Sequence, residues 1–221
     1  MDPLTYLHLQ MQLEGKALIN EQFMRQVEAV PDEEMPLMLI AQLANEEVAA
    51  YYDEAISIDL QKELAAPLLE IKFPEIDSLL NRLQSRGIQF EVRHYKTYMF
   101  PSQRSKDANV SHLQKHDPKI KTFGFDGFAE NIYAIERNGS IVSACVSTRE
   151  NEKCGEAWVY THVQYRNQGF AQKVVNAWAG SLMENEKVPF YSHKIENVAS
   201  ASLARQLGLQ PAFEEIAITQ I

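Results

Sequence analysis

Cysteine is scarce in this chain of 221 residues: there are two, Cys145 and Cys154. Two thiols cannot build a disulfide framework, and no Cys-x-x-Cys pair is present to suggest zinc. Long apolar runs are missing as well, and none nears the roughly 20 residues that a membrane-crossing helix needs. At the N-terminus Asp2-Pro3 stands where a secretory leader would place basic residues before an apolar core, so a reduced, cytoplasmic setting is expected. Basic charge is in deficit, with 21 Lys and Arg against 30 Asp and Glu. Residues 123–221 hold 8 basic against 11 acidic groups and residues 1–122 hold 13 against 19, so neither half offers the basic face that nucleic acid requires. An acidic chain favours a cationic substrate such as an amine. Repeats and low-complexity segments are absent.

What remains is ordinary globular material, 45% apolar and 23% charged, enough for one large domain or two small ones. A chain of this length can bury roughly 70% of its unfolded surface. Asp2-Pro3 predicts a helix start, with loosely helical spacing through Leu4, Leu7 and Met11 and on to Phe23, Met24 and Val27, interrupted near Asn20. Leu37–Leu43 reads as a strand paired through Asn45-Glu46 with Val48–Tyr52. Asp59 can cap a helix from Leu60 to about Glu70. Pro74 to Arg86 is a firmer helix, with Ile76, Leu79, Leu80 and Leu83 on one face and Gly87 as its stop. Ile88–Phe100 alternates and is rich in Tyr, Phe and Val, as a strand is. From Pro101 to about Lys119 the chain is polar, with a short helix expected around Asn109–Lys115. His112 and His116 stand four apart, a zinc-binding spacing on a helix, but Leu113 replaces the Glu of the metalloprotease pattern and two surface histidines are the plainer reading. No metal is expected.

The pattern sharpens after Asn131. Ile132–Arg137 and Ser140–Thr148 are strands joined at Asn138-Gly139, the strongest short-range hairpin signal. Glu156–Thr161 is a third strand. It leads through Arg166-Asn167-Gln168-Gly169-Phe170-Ala171 into a helix reaching about Asn185. That helix carries two apolar rows, Phe170, Val174, Trp178 and Leu182, and Ala171, Val175, Ala179 and Met183. Then come the strand Val188–Ser192, the helix Val198–Leu207 stopped at Gly208, and the strand Phe213–Thr219. Gly169 and a small residue beside it leave the first helical N–H groups unhindered, and those groups have no intrahelical partner and carry the positive end of the macrodipole. Such a helix start is a seat for a pyrophosphate.

A strand entering Arg-x-x-Gly-x-Ala and a helix resembles the acyl-CoA-binding motif of the GNAT N-acetyltransferases. The downstream run Phe190-Tyr191-Ser192, Asn197-Val198-Ala199-Ser200 and Leu207-Gly208-Leu209 is similar to the second motif of that family. The resemblance covers about residues 123–221. It implies an α/β (α+β) fold with a GNAT-type mixed, mostly antiparallel sheet flanked by helices. An N-terminal mixed α/β lobe (1–100) and a linker (101–122) would precede the acetyl-CoA-binding domain (123–221). It implies an acetyl-CoA-dependent N-acetyltransferase acting on a primary amine, with a non-catalytic acyl-CoA-binding sensor or assembly module as the alternative. The third strand and the Val188–Ser192 strand would splay, and the pantetheine arm would enter the gap. Expected partners are a small-molecule or peptide amine, with no nucleic acid and no membrane; a homodimer is left open.

The resemblance assigns site residues one at a time. The N–H groups of Asn167, Gln168, Gly169, Phe170 and Ala171 would hold the diphosphate, with Gln172 in the same turn and Arg166 and Lys173 as nearby charge. Backbone groups of Val159, Tyr160 and Thr161 would bond the arm, and one N–H would polarise the thioester carbonyl. Asn197 matches the family Asn that contacts the arm, and it can equally cap the helix from Val198. Two usual groups are replaced: the proton-donating Tyr position is Ala204 and the Glu position is Ser192. The catalytic candidates are therefore Glu156, Tyr191 and His193. Glu156 is either a base beside Trp158 or an exposed carboxylate at a strand start. Tyr191 is a substitute phenol or a packed aromatic, and His193 a base or a surface loop residue. Ser200 and Ser202 are small helix residues that can also bond the arm. Trp158 and Trp178 read as core.

Overall fold

Asp2 accepts the Thr5 amide at 3.0 Å and Pro3 opens the first turn, so α1 (Pro3–Leu13) begins where the sequence places it. It ends earlier than the spacing suggests. Gly15 lies at φ +73°, and a Cβ there would sit 2.2 Å from the Glu28 carbonyl oxygen. The Gly15 carbonyl accepts the Val27 and Glu28 amides, so residues 16–26 form a hairpin, β1 (Lys16–Leu18) and β2 (Phe23–Gln26), instead of more helix. The computed structural model describes residues 2–30, 34–101, 107–114, 116–125 and 131–221, and of residue 131 the backbone alone. The chain divides into two units, residues up to Lys96 with Pro211–Ile221, and Thr97–Gln210.

In the first unit β3 (Met38–Leu43) and β4 (Val48–Asp53) form the expected antiparallel pair. α2 (Ile58–Leu69) starts two residues earlier than Asp59 suggests, because Ser57 accepts the Leu60 amide and is the cap. α3 (Asp77–Ser85) stops at Arg86, with Gly87 at φ +70° beyond it. The next strand, β5 (Phe90–Met99), passes into the second unit at Thr97. β2 and β4 pair in parallel. The last strand, β11 (Gln210–Gln220), runs antiparallel to β3 from Phe213 opposite Leu43 to Ile218 opposite Met38. Ile216 and Ile218 thereby join Met38, Ile40, Leu64, Leu79 and Leu83 in one core.

The second unit begins with residues 97–99 of β5 and adds β6 (Ser111–Gln114), α4 (Pro118–Phe123), β7 (Asn131–Arg137), β8 (Ser140–Glu150) and β9 (Cys154–Thr161). Then follow α5 (Phe170–Glu184), β10 (Val188–Lys194) and α6 (Val198–Gln206). The strand order is β10-β9-β8-β7-β6, antiparallel except between β9 and β10. Of the helix expected around Asn109–Lys115, Lys115 lies outside the described residues and Ser111–Gln114 form the strand β6. His112 lies on it, stacked on Tyr133 at 5.0 Å, while His116 falls in the turn beyond, so the two do not share a helix face. Asn138 adopts φ +53° and Gly139 +78°, the hairpin turn that their sequence predicts.

The two faces of this sheet carry separate cores. On one, Val174, Val175, Trp178 and Leu182 of α5 pack with Cys145, Tyr133 and Tyr191. On the other, Ile120 and Phe125 pack with Ala144, Val146 and Ile132. Successive β8 residues thus alternate between helix layers, as the pleat requires. Trp178 donates its indole N–H to Ser147 Oγ at 2.9 Å, Ser147 donates to Glu150 at 2.5 Å, and Lys187 holds the other Glu150 oxygen at 2.7 Å.

Candidate functional site

β9 and β10 stay together only briefly. Val188, Pro189 and Phe190 pair with Cys154, Gly155 and Glu156, and from Ala157 onward β9 keeps its β8 partner while the register with β10 ends. Past that point lies a cavity of about 890 Å³. One wall is Val159, Tyr160 and Thr161 of β9; a second is the start of α5; a third is Tyr191 with α6.

The α5 start is built as the sequence suggests. Asn167 lies at φ +60° and Gly169 at φ +74°, so two left-handed residues within three swing the chain into the helix. No side chain caps α5. The first-turn amides therefore keep their donor capacity and the positive helix end. Asn167, Gly169, Phe170, Ala171 and Gln172 line the cavity, as does Arg166, whose Nε donates to the Thr161 carbonyl at 3.2 Å. Gln168 does not line it; its amide side chain bonds the Gln164 carbonyl at 3.4 Å. Phe170 is fixed by Tyr165 stacked at 6.5 Å and by the Arg137 guanidinium 5.0 Å from its ring centre. Lys173 is ion-paired with Asp107 at 2.9 Å. The Asn109 amide, with Lys173 second, holds the Asp107 carboxyl down to about 2.

Of the catalytic candidates, Tyr191 lines the cavity. Burial pushes its phenol up to about 12, and its hydroxyl donates a long bond to the Ser200 carbonyl at 3.5 Å. Glu156 is 5% exposed and takes two bonds from Arg149, so it is neither exposed nor a cavity-lining group. His193 is buried on β10 and not in a surface loop. Its Nδ1 lies 2.8 Å from the Lys194 carbonyl, which can only accept, so the neutral ring carries its proton there and Nε2 faces the Tyr98 hydroxyl at 3.3 Å. Tyr98 also stacks on it at 5.4 Å. Asn197 caps α6 through the Ser200 amide at 3.1 Å and does not line the cavity. Ala204 is fully buried, and Ser192 pairs with Thr97 at 3.0 Å.

Ser200 and Ser202 line the cavity, together with residues to which the sequence assigned no site role: Val198, Ala199, Leu203 and Gln206. Ala199, Ser202, Leu203 and Gln206 follow i, i+3, i+4, i+7 spacing, a single helix face, and that periodicity was the available signal. Gln172 and Gln206 join across the cavity edge at 3.2 Å. Trp158 corrects the core assignment: it is 38% exposed, whereas Trp178 is 1% exposed. Among the described residues no group of three or more His, Cys, Asp or Glu is placed to hold a metal, and no helix is long and apolar enough to cross a membrane.

The family model described as GNAT acetyltransferase matches residues 16–215. The chain belongs to the GNAT acetyltransferase family. The match reaches well beyond the two motifs of residues 123–221 that resembled it. The chain is also 24% identical over 190 residues to the uncharacterized N-acetyltransferase YdfB of Bacillus subtilis, covering 76% of this chain and 69% of that protein. Two solved structures share the GNAT fold. One is a GNAT acetyltransferase from Colwellia psychrerythraea, with a TM-score of 0.52 and 9% identity, covering 80% of this chain and 77% of that one. The other is a putative GNAT acetyltransferase from Novosphingobium aromaticivorans, with a TM-score of 0.50 and 14% identity over 61% of this chain and 68% of that one. The mixed, mostly antiparallel sheet flanked by helices is thus the GNAT architecture, and membership gives the chain an acetyl-transfer role.

Proposed function

We propose that this GNAT protein transfers an acetyl group from acetyl-CoA to a primary amine by direct attack in a ternary complex. The observation that carries this reading is the make-up of one cavity, whose walls combine an uncapped helix start, a strand edge released from its neighbour, and a buried phenol. The α5 amides suit a diphosphate. The released edge at Val159–Thr161 suits the amide groups of a pantetheine arm, and a strand N–H there can polarise a thioester carbonyl. The amine nitrogen bonds to the carbonyl carbon, the carbon–sulfur bond breaks with its electron pair on sulfur, and a proton from nitrogen ends on the thiolate. Burial raises the Tyr191 phenol and keeps it protonated, so its hydroxyl has a proton to share in a hydrogen bond. Tyr191 therefore serves as a hydrogen-bond donor to the leaving sulfur, while the attacking nitrogen supplies the proton. Glu156 and His193 stay as the candidate bases, although neither lines the cavity and Glu156 is bound by Arg149. A cytoplasmic setting and an amine-bearing small molecule or peptide partner complete the reading.

The buried Ala204 and the Thr97-bound Ser192 favour the second reading, an acyl-CoA-binding GNAT module without turnover. One experiment separates them. Calorimetric titration with CoA is combined with thiol release from acetyl-CoA over a broad amine panel. Binding with release supports the enzyme, and binding with no release from any amine supports the module.

A further inference from the structure

The two candidate bases have different surroundings. Glu156 is held in its charged form by two bonds from Arg149. His193 is buried, and its ring meets a backbone carbonyl and two phenols. The Lys194 carbonyl at 2.8 Å only accepts, so Nδ1 carries a hydrogen in either charge state of the ring. Nε2 meets the Tyr98 hydroxyl at 3.3 Å. A phenol both donates and accepts, and that decides what the pair can do. Toward the neutral ring it donates to the Nε2 lone pair; toward an imidazolium its oxygen accepts the Nε2 hydrogen. A buried imidazole can thus take up a proton with both ring nitrogens partnered before and after, which an apolar neighbour would not allow.

The ring is also held in place. Tyr98 stacks on it at 5.4 Å, and Tyr191 meets it edge-on at 6.4 Å. Tyr191 is the phenol that lines the cavity, so the imidazole stands one ring behind the cavity wall. Cys145 of β8 packs in the same core. Burial raises Tyr191 to about 12 and lifts the Cys145 thiol well above its usual range. Both keep their protons near neutrality, and neither competes with the imidazole for one.

We propose that His193 is the proton acceptor of the transfer and that Tyr98, on β5, is the residue that positions it. This rests on the acyl-transfer reading of the neighbouring cavity. The amine arrives as an ammonium ion. One of its protons passes to the Tyr98 oxygen as the Tyr98 hydrogen moves to Nε2, which leaves a neutral nitrogen to attack. A second nitrogen proton goes to the thiolate when the carbon–sulfur bond breaks, and the imidazolium returns its proton to solvent by the same path.

The test uses the full chain with acetyl-CoA and one amine that releases thiol, the same amine in every variant. Tyr98→Phe keeps the ring stack and removes the hydroxyl. The charged imidazole loses more by this than the neutral one, so protonation becomes harder. The acid limb of the kcat/KM profile should therefore move to lower pH by about half to one unit. We expect kcat to fall about tenfold or more, with the KM for acetyl-CoA unchanged. Nitrogen NMR of the imidazoles, assigned with His193→Gln, should show the Nδ1–H form of the neutral ring and the same downward displacement of its titration in Tyr98→Phe. CoA binding by calorimetry, intact in both variants, is the sign of a folded site. An acid limb or an imidazole titration that stays put in Tyr98→Phe overturns the proposal and leaves acyl transfer standing. So does a limb that moves with Glu156→Gln instead. Thiol released from no amine by the wild-type chain overturns the transfer reading and the proton acceptor with it.

Discussion

Arg149 donates from Nε at 2.9 Å and from Nη2 at 2.5 Å to the same Glu156 oxygen, Oε2. The pair lies at the last residue where β9 and β10 are still in register, with side chains 19% and 7% exposed. Removing the guanidinium leaves a carboxylate in a poorly hydrated place. Arg149→Ala is expected to cost about 3–5 kcal/mol, and Arg149→Met with Glu156→Gln much less than the sum of the single changes. Urea unfolding of the singles and the double measures this. A cost under about 1 kcal/mol for Arg149→Ala would mean that water already serves the carboxylate.

Gly169 tests the placement of the diphosphate. A Cβ there meets nothing closer than Gln172 Oε1 at 3.5 Å, so its constraint is the φ of +74° and not space. Gly169→Ala should lose about 1 kcal/mol of stability and bind CoA more weakly. Gly169→Glu adds bulk and negative charge at the helix start and should abolish the thermal shift of several degrees expected at saturating CoA. A shift unchanged by Gly169→Glu would move the site elsewhere.

Tyr191 makes stability depend on alkaline pH. Its folded pKa, about 12, lies above the ordinary value of 10.0, so the folded chain keeps a proton that the unfolded chain gives up. This contribution is complete below pH 10 and is lost as pH rises from about 10 to 12. Its size is roughly 2–3 kcal/mol. Tyr6, Tyr51, Tyr52 and Cys154 shift in the same direction, so the comparison is with Tyr191→Phe. Urea unfolding at stepped pH should show the wild-type advantage over the Phe variant shrinking across that window, and a constant difference would mean that the phenol is solvated.

Trp178 separates packing from hydrogen bonding. Trp178→Phe keeps most of the ring volume but strands Ser147 without its indole donor, at about 1–2 kcal/mol. Trp178→Ala empties the centre of the core under α5 and should cost about 3–5 kcal/mol. Chemical denaturation distinguishes the two, and equal losses would mean that the bond to Ser147 outweighs the packing.

Local chemistry was legible in the sequence wherever it acts over a few residues. The apolar rows of α5, the Asn138-Gly139 turn, and Gly169 before a helix without a capping side chain are properties of adjacent positions. What was hidden depended on residues distant in sequence. The hairpin of residues 16–26 hangs on Gly15 meeting Glu28, and β6 exists because Ser111–Gln114 find β7. Glu156 is occupied by Arg149 across a bulged strand pair, and His193 by Tyr98 from another strand. Trp158 could not be separated from Trp178 by residue type. The exposure of one and the burial of the other follow from which side of the sheet each element leaves uncovered.

Cys145 and Cys154 have no exposed surface, and burial lifts the first thiol far above its usual range and the second to about 11. Neither sulfur offers a thiolate to a reagent in neutral buffer. A cysteine introduced at a solvent-facing position would then be the site that a maleimide dye or spin label reaches first. Probes for distance measurements can thus be attached to this chain without first replacing its own thiols.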